Sequence, residues 1–236
     1  MKYTGQEMIG SLVADFPGAA EVFKKYRIDF CCGGNRELQT VMNEMNLDSA
    51  LVIADLNNAY ENLISKQRAQ RVTDWRCAPL TELVTHIVST HHAYLDKELP
   101  QLGDLVLKIL RVHGVHHPEL SRVHKLFSAL KAELESHLIK EEEVLFPLIT
   151  EYAAQPSSQL QKKIFAVIDE IEGEHIGAGD ILKELRVITK QFIPPTDGCA
   201  TYKLAYNKLE EMENDIFQHI HLENNILHPR LGYIQK

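Results

Sequence analysis

HLIKEEEVLFP at residues 137–147 and HIHLENNILHP at residues 219–229 carry the same pattern, His-x3-Glu-x3-Leu-x-Pro. Another His precedes each copy, His92 by 45 residues and His175 by 44 residues. Because the residue types, their spacing and the trailing Leu-x-Pro all recur, we interpret these segments as two copies of one helical hairpin. Each hairpin supplies one His from its first helix and a His-x3-Glu pair from its second.

The sequence around the two copies has helical periodicity, and strand-like alternation is nearly absent. This periodicity predicts four long amphipathic helices, at residues 80–112, 119–151, 157–192 and 199–228. Connectors that contain Gly, Pro and Ser separate these helices. Four long helices with short connections predict an all-α fold built on an antiparallel four-helix bundle.

The N-terminal part of the chain predicts a separate small helical domain, residues 1–65. A polar stretch that ends in Pro, residues 66–79, is interpreted as the linker, and the bundle is assigned to residues 80–236. Shorter helical patterns in the first domain cover residues 4–16, 19–26, 36–46 and 48–65. Asp48 is the expected N-cap of the last helix. The two Gly of DFCCGGN, residues 29–35, can adopt left-handed backbone angles.

The composition excludes several classes of protein. The chain has 236 residues, of which 44% are hydrophobic and 25% charged, as is usual for a globular protein. Its formal net charge of −8 argues against nucleic acid as a partner. No apolar run approaches the roughly 20 residues of a membrane span, and no secretory signal is visible. With only four Cys, the chain is expected in a reducing cytoplasm.

The repeated His and Glu lie on helix faces that otherwise point to a core. His137 and Glu141 are four residues apart and share one face with Leu130 and Leu134. The same phase places three further polar residues on apolar stripes of the third and fourth helices: His175, His219 and Glu223. Polar residues at core positions of facing helices need a common explanation.

A metal pair explains these buried polar residues. An uncompensated buried carboxylate is costly or becomes protonated, whereas the charge of a bound metal dominates its surroundings. Six ligands exceed the needs of one tetrahedral zinc and suit two metals, each with two His, that two carboxylates bridge. Four imidazoles with two carboxylates favour iron over manganese. The predicted cofactor is therefore two iron ions, bridged by carboxylates and by an oxo or hydroxo group from solvent.

The ligand from the first bundle helix is ambiguous on physical grounds. His91 and His92 are adjacent, about 100° apart around a helix, so only one of them is expected to be a direct ligand. The apolar stripe of Leu80, Val84 and Ile87 favours His91, whereas the equal separations in the two hairpins favour His92. The residues alone leave both assignments open.

The other candidate residues receive simpler interpretations. The loop histidines and the acidic residues beside the motif are expected on solvated surfaces: His113, His116, His117, Glu133, Glu135, Glu142 and Glu143. Four further histidines are expected to be peripheral: His86, His124, His221 and His228. Cys77 and Cys199 flank the bundle and are interpreted as incidental.

Cys31 and Cys32 form a vicinal pair before two Gly. Neighbouring cysteines form a mutual disulfide only with backbone strain. Exposed thiols near helix ends would be reactive or would bind metal, whereas two buried thiols would act as small apolar side chains. The residues alone leave both interpretations open.

These motifs together resemble a known family. DFCCGG, TDWRCAPLTELVTHIVSTHH, SHLIKEEEVLFP, EGEH and HIHLENNILHP are similar to the RIC (repair of iron centres) proteins, which belong to the hemerythrin-like class. The resemblance covers essentially the whole chain. It implies a cytoplasmic protein with a cysteine-bearing N-terminal domain and a non-haem di-iron bundle. It also implies repair of iron–sulfur clusters damaged by nitric oxide or oxidants, with the protein as an iron donor.

The resemblance assigns the site residue by residue. The terminal ligands fall on His92, His137, His175 and His219, and the bridging carboxylates on Glu141 and Glu223. An ungapped run into Glu98-Leu99-Pro100 places the first ligand on His92 rather than His91. The functional cysteine pair of the family falls on Cys31 and Cys32. The second repeat ends in Leu-His-Pro instead of Leu-Phe-Pro, which leaves the ligand face unchanged.

Three functions are compared. The leading hypothesis is cluster repair, in which the two thiols relay electrons, iron or nitrosyl groups and damaged iron–sulfur proteins are the partners. A nitric oxide or oxygen carrier or sensor would not need the cysteine-bearing domain. A nitric oxide reductase would place two nitrosyls on neighbouring irons. The resemblance also implies a possible homodimer, and neither nucleic acid nor membrane is expected as a partner.

Overall fold

The structure, a computed structural model, describes residues 2–66 and 73–234. Within those ranges the regular structure is helical, apart from an isolated β-bridge between Met8 and Glu37. The all-α prediction is therefore confirmed. None of the described helices is both long enough and apolar enough to cross a bilayer.

The chain forms two compact units, Met1–Pro79 with Phe217–Lys236, and Leu80–Ile216. The domain boundaries that the sequence predicts, 1–65, 66–79 and 80–236, stay a prediction. Part of the predicted linker, residues 67–72, lies outside the described residues.

The N-terminal residues form four helices around an aromatic core. The helices span Ile9–Asp15, Ala19–Tyr26, Leu38–Glu44 and Ser49–Lys66. Phe16, Phe23 and Phe30 are buried in the core of this unit, and Phe217 packs against it.

The first of these helices begins at Ile9, five residues later than the sequence pattern predicts. The carboxylate of Glu7 accepts hydrogen bonds from the backbone N–H groups of Thr4 and Gly5, at 3.0 and 2.8 Å. Gly5 also has a positive φ of 97°, so these residues form a turn instead of a helix. The predicted N-cap is confirmed, because Asp48 Oδ1 accepts from the N–H of Ala50 at 3.0 Å.

Four long helical arms build the bundle, as predicted. The first consists of Leu80–Ile87, Val88–His92 and Ala93–His113, and the second of Glu119–Lys140, Glu141–Leu145 and Phe146–Ala154. The third is Ser158–Ile188, and the fourth consists of Ala200–Leu222, Glu223–Leu227 and His228–Arg230. Ser157 caps the third helix by accepting from the N–H of Leu160 at 3.2 Å.

Three of the four arms contain a π-helical turn, which the sequence analysis did not anticipate. The turns are Val88–His92, Glu141–Leu145 and Glu223–Leu227. A π turn inserts one residue into an α-helix and is frequently found at functional sites. Each of these turns begins or ends at a candidate metal ligand, and Pro147 and Pro229 follow the last two.

Candidate metal centre

Four predicted ligands come together inside the unit Leu80–Ile216. The Oε2 atom of Glu141 lies 3.3 Å from His92 Nε2 and 3.4 Å from His137 Nε2. His175 Nε2 lies 3.2 Å from His137 Nε2. The ligand atoms of His137, Glu141 and His175 lie within 4.8 Å of one another, and all four side chains are buried.

The structure separates the two adjacent histidines of the first arm. His92 points its Nε2 atom at Glu141, as above, whereas His91 Nδ1 lies 2.9 Å from Asp215 Oδ1. Both rings are buried, so burial alone does not distinguish them. The geometry therefore places His92 in the cluster and His91 against the fourth arm.

Two carboxylates contact the Nδ1 atoms of the candidate ligands, on the side of each ring away from the cluster. Neither carboxylate was predicted to take part in the site. Glu142 Oε1 lies 2.7 Å from His92 Nδ1, and Glu174 Oε2 lies 2.8 Å from His137 Nδ1. A carboxylate that accepts a hydrogen bond from Nδ1–H fixes the ring tautomer, so that the lone pair of Nε2 can bind a metal. Glu142 is an exposed residue, as expected, yet it also performs this role. For Glu174, the sequence did offer a signal, because this Glu directly precedes the candidate ligand His175.

Glu174 also contacts Lys140, which forms an ion pair with its second oxygen. Burial alone would raise the pKa of Glu174, but the hydrogen bonds with Lys140 and His137 outweigh it and lower the pKa. The carboxylate is therefore favoured in the charged form that accepts from the imidazole N–H.

The donor chemistry of this cluster fits a metal ion. With its Nδ1–H directed at Glu174, His137 presents a lone pair on Nε2, only 3.2 Å from the Nε2 atom of His175. Glu141 is fully buried beside these rings. A cation bound between the two Nε2 atoms and the buried carboxylate would offset the desolvation cost of that carboxylate. Imidazole and carboxylate ligands together suit iron.

The remaining predicted ligand pair belongs to the other compact unit, in Phe217–Lys236. His219 Nε2 lies 3.2 Å from Glu223 Oε1, and both side chains are buried. The spacing of four residues along the helix brings the two groups together, as predicted. Glu223 opens the π turn of the fourth arm, as Glu141 opens that of the second.

Cys31 and Cys32 are not joined in a disulfide, and their sulfur atoms lie 3.8 Å apart. Cys31 is buried and Cys32 is partly buried. Asp29 Oδ1 organises the loop by accepting from the backbone N–H groups of Cys31, Cys32 and Gly33. The hydrogen bond to Cys32 and burial both raise the pKa of the Cys31 thiol well above its ordinary value. Gly33 and Gly34 do not use the left-handed angles that are open to glycine, because neither has a positive φ.

One further expectation about the histidines is corrected. His221 and His228 are buried, not peripheral, at 2% and 0% exposure. The Nε2 atom of His113 lies 3.2 Å from Cys199 Sγ, so neither residue is an isolated surface group. This hydrogen bond lowers the pKa of Cys199 to about 7. His117 lies 3.1 Å from Asp197 in the same loop region.

Comparisons with known proteins identify the family. The family described as "Hemerythrin HHE cation binding domain" matches residues 83–231, and a "Domain of Unknown function (DUF542)" matches residues 5–60. Proteins named iron-sulfur cluster repair protein YtfE are 35% identical to this chain. In Escherichia coli O157:H7 the match spans 230 residues and 98% of each chain. The chain belongs to the hemerythrin-like RIC family.

Other members of the RIC family match to the same degree. The Salmonella typhimurium protein of that name is 35% identical over 233 residues, 98% of each chain, and the Citrobacter koseri protein is 35% identical over 225 residues, 94% of each. The family that the motifs predicted is thus confirmed, together with the hemerythrin-like bundle. The buried His and Glu residues lie inside the segment that matches the cation-binding domain, which confirms the predicted iron cofactor.

Proposed function

We propose that this protein is a cytoplasmic non-haem di-iron protein that repairs iron–sulfur clusters damaged by nitrosative or oxidative stress, as an iron donor. The 35% identity to iron-sulfur cluster repair proteins over 98% of both chains carries this proposal. The match extends through the cysteine-bearing N-terminal segment, which a simple oxygen carrier would not need. Damaged iron–sulfur proteins are therefore the proposed partners.

The proposed iron site uses all six repeated residues. Terminal ligation is assigned to His92, His137, His175 and His219, and bridging to Glu141 and Glu223. The repeated spacing, the burial of every one of these side chains and the carboxylates behind His92 and His137 support this assignment. When bound, the iron pair would supply redox-active, releasable iron. The protein itself orients the imidazoles and keeps water from the carboxylates.

Cys31 and Cys32 are proposed as the functional thiols of repair, which relay electrons, iron or nitrosyl groups. Their 3.8 Å separation permits both sulfurs to act on one group, and Cys32 is the more accessible of the two. The double variant C31S/C32S tests this role. It should retain its iron and lose repair, and unchanged repair would reject the role of the thiols.

A reconstituted repair assay tests the proposed function. An iron–sulfur dehydratase inactivated with nitric oxide is incubated with the iron-loaded protein, and recovery of dehydratase activity is measured. We expect recovery with the wild-type protein and none with E141A/E223A. Recovery that is equal in both would show that the iron site is not the donor.

Nitric oxide chemistry is the competing function. Nitric oxide is proposed as a small ligand of the same centre, and turnover would yield nitrous oxide in the presence of a reductant. Gas analysis of the wild-type protein with nitric oxide and dithionite separates the two functions.

Sedimentation of the iron-loaded protein tests the proposed homodimer.

A further inference from the structure

The two copies of the ligand motif differ on the side of the helix that faces away from their ligands. In the first copy, Ile139 is 57% exposed and Glu143 is exposed. The equivalent positions of the second copy are His221, which is 2% exposed, and Asn225, which is partly buried. The second copy is therefore covered where the first faces solvent.

The loop that contains the vicinal cysteines covers the second copy. The Nδ2 amide of Asn225 donates to the carbonyl oxygens of Phe30 and Cys31, each at 3.2 Å. The ring of His221 packs edge-on against Phe30, with 5.9 Å between ring centroids. These residues all belong to the compact unit of Met1–Pro79 with Phe217–Lys236.

Two glycines make room for the Asn225 side chain. A Cβ atom would lie 2.0 Å from Asn225 Oδ1 at Gly10 and 2.2 Å from it at Gly34. The N–H of Gly10 also donates to the carbonyl of Gly34 at 2.7 Å. Any side chain at either glycine would displace the amide or the loop. The second Gly of the CCGG motif is thus required by close approach and not by a special backbone angle.

We propose that Asn225 is the positioning residue of the vicinal thiols, which it holds on the π turn that supplies Glu223. Asn225 lies two residues after Glu223 in that turn, and it binds the carbonyl of Cys31 itself. The backbone of the cysteine loop is therefore tied to the same helical turn as a candidate iron ligand. The importance of this arrangement for repair rests on the proposed function.

Holding the loop closed controls access to the thiols. Cys31 is buried, so a reagent reaches its sulfur only when the loop opens. Two hydrogen bonds from one side chain favour the closed loop, and each is worth roughly a factor of five in the closed-to-open ratio. Removing the Asn225 amide should therefore raise the rate of Cys31 modification by about twenty-five-fold.

Anaerobic alkylation of the iron-loaded protein with iodoacetamide, followed at each cysteine by peptide mass spectrometry, tests the proposal. Asn225→Ala should raise the Cys31 rate and leave the rates of Cys77 and Cys199 unchanged. The matched control is Glu143→Ala, at the equivalent position of the first copy, and it should leave all four rates unchanged. An unchanged Cys31 rate in Asn225→Ala, or an equal rise in Glu143→Ala, would overturn the proposal.

Asn225→Asp provides a second variant of the same size, in which a carboxylate replaces the amide donor. It should also raise the Cys31 rate, because a negative oxygen would then face two carbonyl oxygens. Urea unfolding of both variants is the control for global stability, because the exposed Cys77 and Cys199 react whether or not the protein is folded. If the Cys31 rate rose only in proportion to a loss of global stability, the positioning role would be rejected.

The repair assay separates this proposal from the proposed function. Asn225→Ala should keep its iron. Its repair activity should fall as its Cys31 becomes less protected from alkylation. If the wild-type protein did not repair clusters, the proposed function would fail, while the alkylation rates would still decide whether Asn225 positions the thiols.

Discussion

The two copies of His-x3-Glu-x3-Leu-x-Pro place equivalent candidate ligands, Glu141 and Glu223, at the start of equivalent π turns, but their outer faces differ. In the first copy, Glu174 lies behind the ring of His137, and the outer face is exposed at Ile139. The second copy has a buried outer face, where Asn225 binds the cysteine loop. Positions that repeat therefore indicate the shared chemistry of the iron site, and positions that break the repeat indicate where each copy has its own partner.

The largest expected effect is the loss of bound iron when the Glu that the two copies share is replaced. Glu141→Ala and Glu223→Ala should each lose most of the bound iron, because each carboxylate is proposed to bridge both metals, and the double variant should lose all of it. Metal analysis with the visible spectrum of freshly purified anaerobic protein measures this. If the double variant still held iron, or if the wild-type protein held zinc, the di-iron site would be rejected.

The next effect tests the carboxylates of the first copy. Glu174→Ala should weaken iron binding by about 10- to 100-fold, because His137 loses the acceptor that orients its ring. Competition with a chelator measures the affinity. Glu170→Ala is the control, since Glu170 contacts only Lys140 among the residues discussed, at 3.4 Å. Equal affinity in both variants would show that the ring needs no orientation from Glu174.

A smaller effect tests the covered face of the second copy. Gly34→Ala should lower the free energy of unfolding by about 1–3 kcal/mol, because its Cβ atom would overlap Asn225 Oδ1. Gly173→Ala lies in a helix where nothing is within 4 Å of the added Cβ, and it should raise the stability by about 0.5–1 kcal/mol. Urea titrations measure both changes. The same sign for both substitutions would contradict the close approach at Gly34.

The smallest effect concerns a thiol outside both copies. The hydrogen bond with His113 lowers the pKa of Cys199 to about 7, whereas the hydrogen bond with Cys32 and burial raise the pKa of Cys31. The reactive thiolate of Cys199 should thus persist down to about pH 7 and be lost below it. His113→Gln should move the midpoint upward and slow alkylation at pH 7 by about three- to fivefold.

His116→Gln is the control for that pH profile, because His116 lies in the same loop and its backbone N–H bonds to the carbonyl of His113. It should leave the midpoint for Cys199 unchanged. A wild-type midpoint that His113→Gln does not move would show that the imidazole has no influence on the thiol.

Much of the site could be predicted because its pattern is local. A His and a Glu four residues apart share a helix face whatever surrounds them, so the ligand candidates of the second and fourth arms followed from spacing. The choice between His91 and His92 did not, because a π turn at Val88–His92 changes the phase on which such reasoning depends. The family resemblance, not the periodicity, gave His92.

Other errors arose where a contact joins distant parts of the chain. His221 was expected to be peripheral, since nothing within its own helix reveals that residues about 190 positions earlier cover it. The glycines after Cys32 suggested a left-handed turn, yet the constraint on Gly34 comes from Asn225. Local propensity describes the backbone angles that a residue can adopt. Tertiary packing decides whether a glycine is needed for those angles or for its lack of a side chain.

The sequence by itself determined the helical fold, the duplicated ligand pattern and the family, because periodicity, repeat spacing and residue type are properties of neighbouring positions. Only the tertiary structure decided the π turns, the carboxylates on the imidazoles and the Asn225 contact with the cysteine loop. Each of these depends on how helices pack against elements far away in the chain. Such packing depends on which helix surfaces come into contact, and the order of residues along the chain does not by itself specify those contacts.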